Sequence, residues 1–181
     1  MTKERLNVRD LCLIGIFTAI IVVLGQIAIP MPYGIPITLQ TFAVLLTGIA
    51  LGAKRGSLAT LCYVLLGALG VPVFSGFAGG FGILFSKSGG FIISFPLMAL
   101  AAGIGAKSGK LVWMVLGLVM GTVVNYICGM VMFSLITDNS LQIAFFACVL
   151  PFIPTAIIKV VLAGVLGVSV KKVLAKGKIL I

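Results

Sequence analysis

One lysine stands inside an apolar stretch near the C-terminal end of the chain, in Pro151-Phe152-Ile153-Pro154-Thr155-Ala156-Ile157-Ile158-Lys159-Val160-Val161-Leu162-Ala163-Gly164. A cation at the centre of a membrane helix costs about 2.5–3.5 kcal/mol on insertion scales, so it usually faces a cavity or an anion. The acids of the chain are Glu4, Asp10 and Asp138, none of them near Lys159 in sequence. A bound ligand can therefore supply the anion. The competing possibility is a lysine that snorkels to the interface or bonds backbone carbonyls. The apolar run continues for about ten residues beyond Lys159, which works against snorkelling in that direction. A lysine with a few neutral donors suits a small, mostly apolar acid. It can pair with a carboxylate or donate to a carbonyl. Gln40, Asn125 and Thr155 can bond an amide-like or ureido group, while Tyr33, Phe74 and Phe77 can cover an apolar body. Asn125 and its neighbour Tyr126 would equally suit hydrogen bonding to an adjacent helix.

Other chemistry is poorly supplied. The chain has no histidine, which removes the commonest general base, the Ser-His triad and most zinc sites. Cys12, Cys62, Cys128 and Cys148 show no metal-ligand spacing and suit small reduced hydrophobes. No catalytic residue, metal or cofactor is expected. An intramembrane enzyme would need a nucleophile with its base, or metal ligands, and neither is evident. The glycines of Phe74-Ser75-Gly76-Phe77-Ala78-Gly79-Gly80-Phe81-Gly82 and Phe85-Ser86-Lys87-Ser88-Gly89-Gly90 fit no phosphate-binding fingerprint. They suit a mobile aromatic lid approached closely by a ligand, or a flexible loop whose aromatics dip into lipid.

The positioning elements follow from composition. Of 181 residues, 61% are hydrophobic and 9% charged, where a soluble domain carries about one quarter charged residues. Mean hydropathy is +1.34. The spans must pair their backbone internally, and long apolar runs without alternation select helices over a barrel. The expected fold is an all-α integral membrane protein. It forms a single domain over residues 1–181, a six-transmembrane-helix bundle with helices near 10–29, 37–53, 57–72, 90–106, 111–136 and 143–170. The last is broken near Pro151 and Pro154. A Pro-rich connector at 30–36 follows the first helix, and the Gly/Phe-rich loop joins helices three and four. Gly15 and Ala19 give small residues one helical turn apart, which permits close approach of another helix, within the bundle or outside it.

The formal charge of +10 raises the possibility of nucleic-acid binding, and its distribution argues against it. All but Lys87 and Lys159 of the 13 basic residues fall at the N-terminus, at Lys54-Arg55, at Lys107–Lys110 or from Lys171 onward. These are alternate ends of six spans. The positive-inside rule then puts both termini in the cytoplasm. Thr38, Gln40 and the Gly/Phe loop gather at the outer end, and the residues before Lys159 lead down from it.

In these residues the chain resembles the biotin-specific substrate-binding (S) subunits of energy-coupling factor transporters, the BioY type, over nearly its whole length. The likeness is carried by Pro36-Ile37-Thr38-Leu39-Gln40-Thr41, by Gly52 to Gly56, and by Leu65-Leu66-Gly67-Ala68-Leu69-Gly70-Val71-Pro72-Val73-Phe74. Gly79-Gly80, Ser88-Gly89-Gly90 and Pro151-Phe152-Ile153-Pro154 with Lys159 complete it. The resemblance implies a prokaryotic cell-membrane protein that captures biotin from outside and does no chemistry on it. The implied ligand-binding residues are Lys159, Gln40, Asn125, Phe74, Tyr126, Thr155, Gly79 and Gly80. It also implies docking through Gly15 and Ala19 onto a transmembrane coupling subunit carrying two ATPases, and tipping of the whole subunit when these turn over. Two departures stand out. Ala156 occupies a place where the family usually has Asp, an acceptor for ligand N–H groups. Ser86-Lys87-Ser88 replaces the family's Gly-Pro-Thr. A related carboxylate vitamin or precursor such as desthiobiotin is the alternative ligand, and a ligand-free structural membrane protein the alternative role.

Overall fold

A computed structural model describes residues 7–31 and 33–177. The basic residues Lys3, Arg5 and Lys178 used for the topology lie outside the described residues. Helix α1 (Val8–Gly25) opens on a capping box, in which the Asn7 side chain accepts from the Asp10 N–H at 2.8 Å and Asp10 accepts from the Asn7 N–H at 3.3 Å. It ends earlier than the apolar run suggests. Ala28–Ile29 (β1) instead pairs antiparallel with Ile37–Thr38 (β2). The second helix therefore starts at Gln40, not Ile37. Thr38 holds that start: its hydroxyl donates to Gln40 Oε1 at 3.1 Å and accepts the Gln40 N–H at 3.2 Å.

The run α2 (Gln40–Ala68) is two helical limbs that meet at Gly52, a non-helical residue with φ +80° and ψ 175° where the chain reverses. Gly56 lies against Thr47 and Gly48. Eight residues of straight helix would separate Gly48 from Gly56 by about 12 Å, so the two limbs fold back on each other as a hairpin. This corrects the expected turn at Lys54-Arg55-Gly56. Both basic residues sit in the first turn of the second limb, because glycine alone takes the left-handed setting at 52 without penalty. The limb ends four residues sooner than expected. Gly70 donates to Gly67 O and Val71 to Leu66 O, with Gly70 at φ +99°, the Schellman pattern of a glycine-terminated helix.

The remaining chain runs through α3 (Gly89–Ile93), α4 (Phe95–Lys107), α5 (Leu111–Thr137), α6 (Leu141–Cys148) and α7 (Ile153–Lys176). A 3-10 turn at Phe81–Phe85 precedes α3, and another at Leu150–Phe152, containing Pro151, joins α6 to α7. Counting the two limbs of α2 separately and the broken pairs α3/α4 and α6/α7 as single passes gives the six-helix bundle. Among the described residues, four helical runs are long and apolar enough to cross a membrane: Val8–Gly25, Gln40–Ala68, Leu111–Thr137 and Leu141–Lys176. The protein is a multi-pass membrane protein.

Glycines set how closely these helices pack. A Cβ added at Gly103 would overlap the backbone of Ala53 at the hairpin bend, and Gly105 and Gly117 place α4 against α5 backbone to backbone. Small residues at such faces are how membrane helices gain contact without a hydrophobic driving force. Gly103→Val should therefore destabilise the bundle by about 1–3 kcal/mol, the usual cost of overpacking. It would be read as a lower unfolding midpoint in detergent; an unchanged midpoint would refute this close approach.

The basic turns gather at one end. Arg55 Nε lies 2.7 Å from Asp10, Gly103 abuts Ala53, and Lys171 Nζ donates to Ala106 O at 2.9 Å. The start of α1, the α2 bend, the α4–α5 turn and the end of α7 thus lie together. The β1–β2 hairpin and the Gly/Phe segment occupy the opposite end.

Candidate ligand-binding site

A cavity of about 620 Å³ opens at the hairpin end of the bundle, within the range of small-molecule sites, about 300–1,000 Å³. Its wall is drawn from all parts of the chain: Gln26, Thr38, Gln40, Phe74, Phe91, Phe95, Asn125, Tyr126, Phe152 and Lys159.

Lys159 enters it from the inward face of α7, which also buries Ala163, Gly164 and Gly167. The lysine is 9% exposed, and none of the hydrogen bonds or ion pairs seen among the described residues satisfies it. The two described acids are elsewhere: Asp10 is paired with Arg55 and Asp138 caps α5 in a left-handed setting. The cation is therefore buried at a cavity wall with no anion beside it among the described residues, the costly arrangement that a ligand oxygen would relieve.

Asn125 lies on the inward stripe of α5 with Leu118, Gly121, Gly129 and Phe133, and is fully buried. Its Nδ2 donates to Phe91 O and to Ser94 Oγ, both at 2.8 Å. Ser94 itself donates to Phe91 O, so both groups facing Nδ2 need a donor there and the amide orientation is fixed. Its Oδ1 is left buried without a hydrogen-bond partner among the described residues. The residue thus does both things the sequence allowed. It ties α5 to α3 and α4, and it holds an unsatisfied acceptor in a residue of the cavity wall. Native proteins leave few such groups unpaired, and each costs about 1–3 kcal/mol.

Gln40 is held by Thr38 on one side and by Tyr63 on the other, where its Nε2 donates to the Tyr63 hydroxyl. That hydroxyl in turn donates to Val73 O at 3.1 Å. Phe74 is 1% exposed and packs edge-on against Tyr63, their centroids 5.5 Å apart. A Cβ at Gly67 would overlap its ring, so that glycine exists to seat Phe74. Tyr126 donates to Phe152 O at 3.3 Å and meets Phe91 at 80°.

The structure brings Lys159, Gln40, Asn125, Phe74 and Tyr126 to one cavity. It does not bring Thr155, Gly79 or Gly80 there. Thr155 spends its hydroxyl on Phe152 O one turn back, at 2.9 Å. Gly79 fits against the carbonyls of Gly70 and Val71, and the Gly80 N–H donates to Gly67 O at 2.7 Å. These two glycines close the segment onto the end of α2. Phe77 is 71% exposed and Tyr33 lines a separate surface cleft with Lys87 and Asn139, so neither covers this cavity. Gln26, Phe91, Phe95 and Ser88 are lining residues that polarity and position in the sequence did not select. Gln26 carried a signal, as a polar amide at the end of an apolar run.

The BioY family model matches residues 1–176. The chain belongs to the BioY family. Among relatives, the probable biotin transporter BioY of Pyrococcus horikoshii is 37% identical over 90% of this chain and 96% of its own length. The biotin transporter BioY of Thermotoga maritima is 38% identical over 91% and 96%, and that of Rhodobacter capsulatus 37% identical over 88% and 91%. The 2.1 Å crystal structure of the S-component for biotin from an ECF-type ABC transporter superposes with a TM-score of 0.83. It is 27% identical and aligns over 95% of each chain. The six-helix bundle of this BioY chain is thus the fold of that S-component, and the cavity holding Lys159 lies within the matched region.

Proposed function

We propose that this chain is the substrate-binding subunit of an energy-coupling factor vitamin transporter and that it captures biotin. The observation that carries this is Lys159, a cation buried in the wall of a cavity of suitable size with no anion beside it among the described residues. Family membership and the biotin named for the relatives and for the S-component identify the ligand class. Lys159 would donate a charge-assisted hydrogen bond to a ligand oxygen. Asn125 Oδ1 would accept a ligand N–H, an acceptor role open because Ala156 offers none. Gln40 and Tyr126 would add polar contacts, and Phe74 would cover the apolar part. The chain performs no reaction on its ligand; it binds and releases.

The positive-inside rule supports placing the basic end in the cytoplasm of a prokaryotic cell, with both termini inside and the cavity facing out. Gly15 and Ala19 are exposed on α1, and nothing lies within 4 Å of a Cβ built on Gly15. This small-residue face would receive the transmembrane coupling subunit, which carries two ATPases. Biotin uptake is the direct test. Cells lacking their own biotin importer should accumulate labelled biotin when this chain is expressed with a coupling subunit and ATPases. Accumulation of desthiobiotin in place of biotin would redirect the assignment to the precursor. Accumulation of neither, with the chain present in the membrane, would refute a transport role.

A further inference from the structure

We infer that Gln26, which none of the binding roles above includes, is a positioning residue for ligand retention: its carboxamide clamps one wall of the cavity shut. The wall is the turn at residues 74–78. It is closed on itself by paired backbone bonds, Phe74 N–H to Ala78 O at 2.9 Å and Ala78 N–H to Phe74 O at 3.2 Å. Phe74, Ser75, Gly76 and Ala78 all line the cavity, as does Gln26 itself. Gln26 is the residue that ends α1. Its Nε2 reaches Val73 O at 3.1 Å, Phe74 O at 3.2 Å and its own helix at Val22 O at 3.2 Å, while its Oε1 accepts the Phe77 N–H at 2.9 Å. One amide thus bonds both strands of the turn.

Two features show that the turn needs holding. Phe77 has φ +56°, a left-handed setting that non-glycine residues rarely take. Its side chain is exposed, so packing of the ring does not fix that backbone. At its root the turn is also held by the Tyr63 hydroxyl, itself bonded by Gln40, on Val73 O and by burial of the Phe74 ring against Tyr63; the Gln26 bond to Phe77 reaches its tip. To release a ligand by swinging this turn outward, the chain must break the Gln26 bonds first.

The inference rests on the biotin-capture reading and is tested by dissociation of labelled biotin from purified, already loaded protein in detergent. Gln26→Met should release biotin at least about tenfold faster than the native chain, which is about 1.4 kcal/mol and the size of one net hydrogen bond. Gln26→Glu should release biotin at least as fast as Gln26→Met, because it sets an acceptor-only carboxylate oxygen against the carbonyls of Val22, Val73 and Phe74. A role confined to folding would lower the yield of loaded protein and leave its release rate unchanged, and that result would overturn the inference. If both variants fail to fold, the native chain decides. The Phe77 amide should exchange its hydrogen slowly despite its exposed position, and more slowly with biotin bound; rapid exchange in the loaded protein would overturn the clamp. A native chain that binds no biotin sinks the capture reading and this one together, whereas native binding with an unchanged Gln26→Met release rate sinks this one alone.

Discussion

Lys159→Met should weaken biotin binding by about 100-fold while raising the unfolding midpoint of the empty protein. The two effects have one origin. A hydrogen bond to a charged group is worth about 1.5–3 kcal/mol, and each 1.4 kcal/mol is tenfold in affinity, so loss of the Lys159 contact removes between one and two orders of magnitude. Without ligand, the same ammonium sits 9% exposed at the cavity wall with no acid near it among the described residues, and its burial opposes folding. Methionine keeps most of the side-chain volume and removes the charge. Titration of labelled biotin and thermal unfolding of the same preparation read both effects. Unchanged affinity would remove Lys159 from the site. A lowered midpoint in the empty protein would show that the lysine is structural, bonded within the bundle in the absence of ligand.

Gly15→Trp should abolish biotin uptake in cells and leave biotin binding by the isolated subunit within about twofold, well under the tenfold that 1.4 kcal/mol represents. The fold can accept the large side chain, because a Cβ at Gly15 meets nothing and Ala19, one turn on, is also exposed. A coupling subunit docked on this face could not, since helices that approach over small residues do so backbone to backbone. The contrast with Gly103 is instructive. There a side chain meets Ala53 of the same protein, and the expected loss is stability, not transport alone. Uptake by Gly15→Trp at the native level would show that the coupling subunit docks on another face. Loss of both binding and uptake would show that α1 shapes the cavity directly.

Much of the architecture was legible because lipid imposes a simple rule. Long apolar runs became helices, and Lys54-Arg55 and Lys107–Lys110 did mark one end of the bundle, where Arg55 pairs with Asp10 and Lys171 of α7 bonds the carbonyl of Ala106, next to Lys107. The boundaries were less legible, because they depend on backbone settings that composition does not encode. Gly52 turns the chain two residues before the charges that seemed to mark the turn. Residues 28–29 left the apolar run for a two-residue strand, because Pro30 and Pro36 bound a connector whose ends pair with each other.

The site was legible where a residue was chemically out of place, and illegible where its role depends on distant partners. Lys159 and Asn125 were conspicuous as polar groups within apolar helices, and both reach the cavity. Thr155, next to them in polarity, is consumed by a carbonyl three residues away. Gly79 and Gly80 suggested ligand approach, and the structure seats them against the end of α2, outside the cavity lining. Gln26 bonds the backbone 47, 48 and 51 residues further on, and no local pattern announces that.

The most direct measurement is equilibrium binding of biotin to the purified native subunit, in detergent, without any partner. Saturable binding of one biotin per chain, competed by unlabelled biotin and accompanied by a raised unfolding midpoint, is the predicted result. A folded native protein that shows no saturable binding and no shift in its midpoint would contradict the account at its centre.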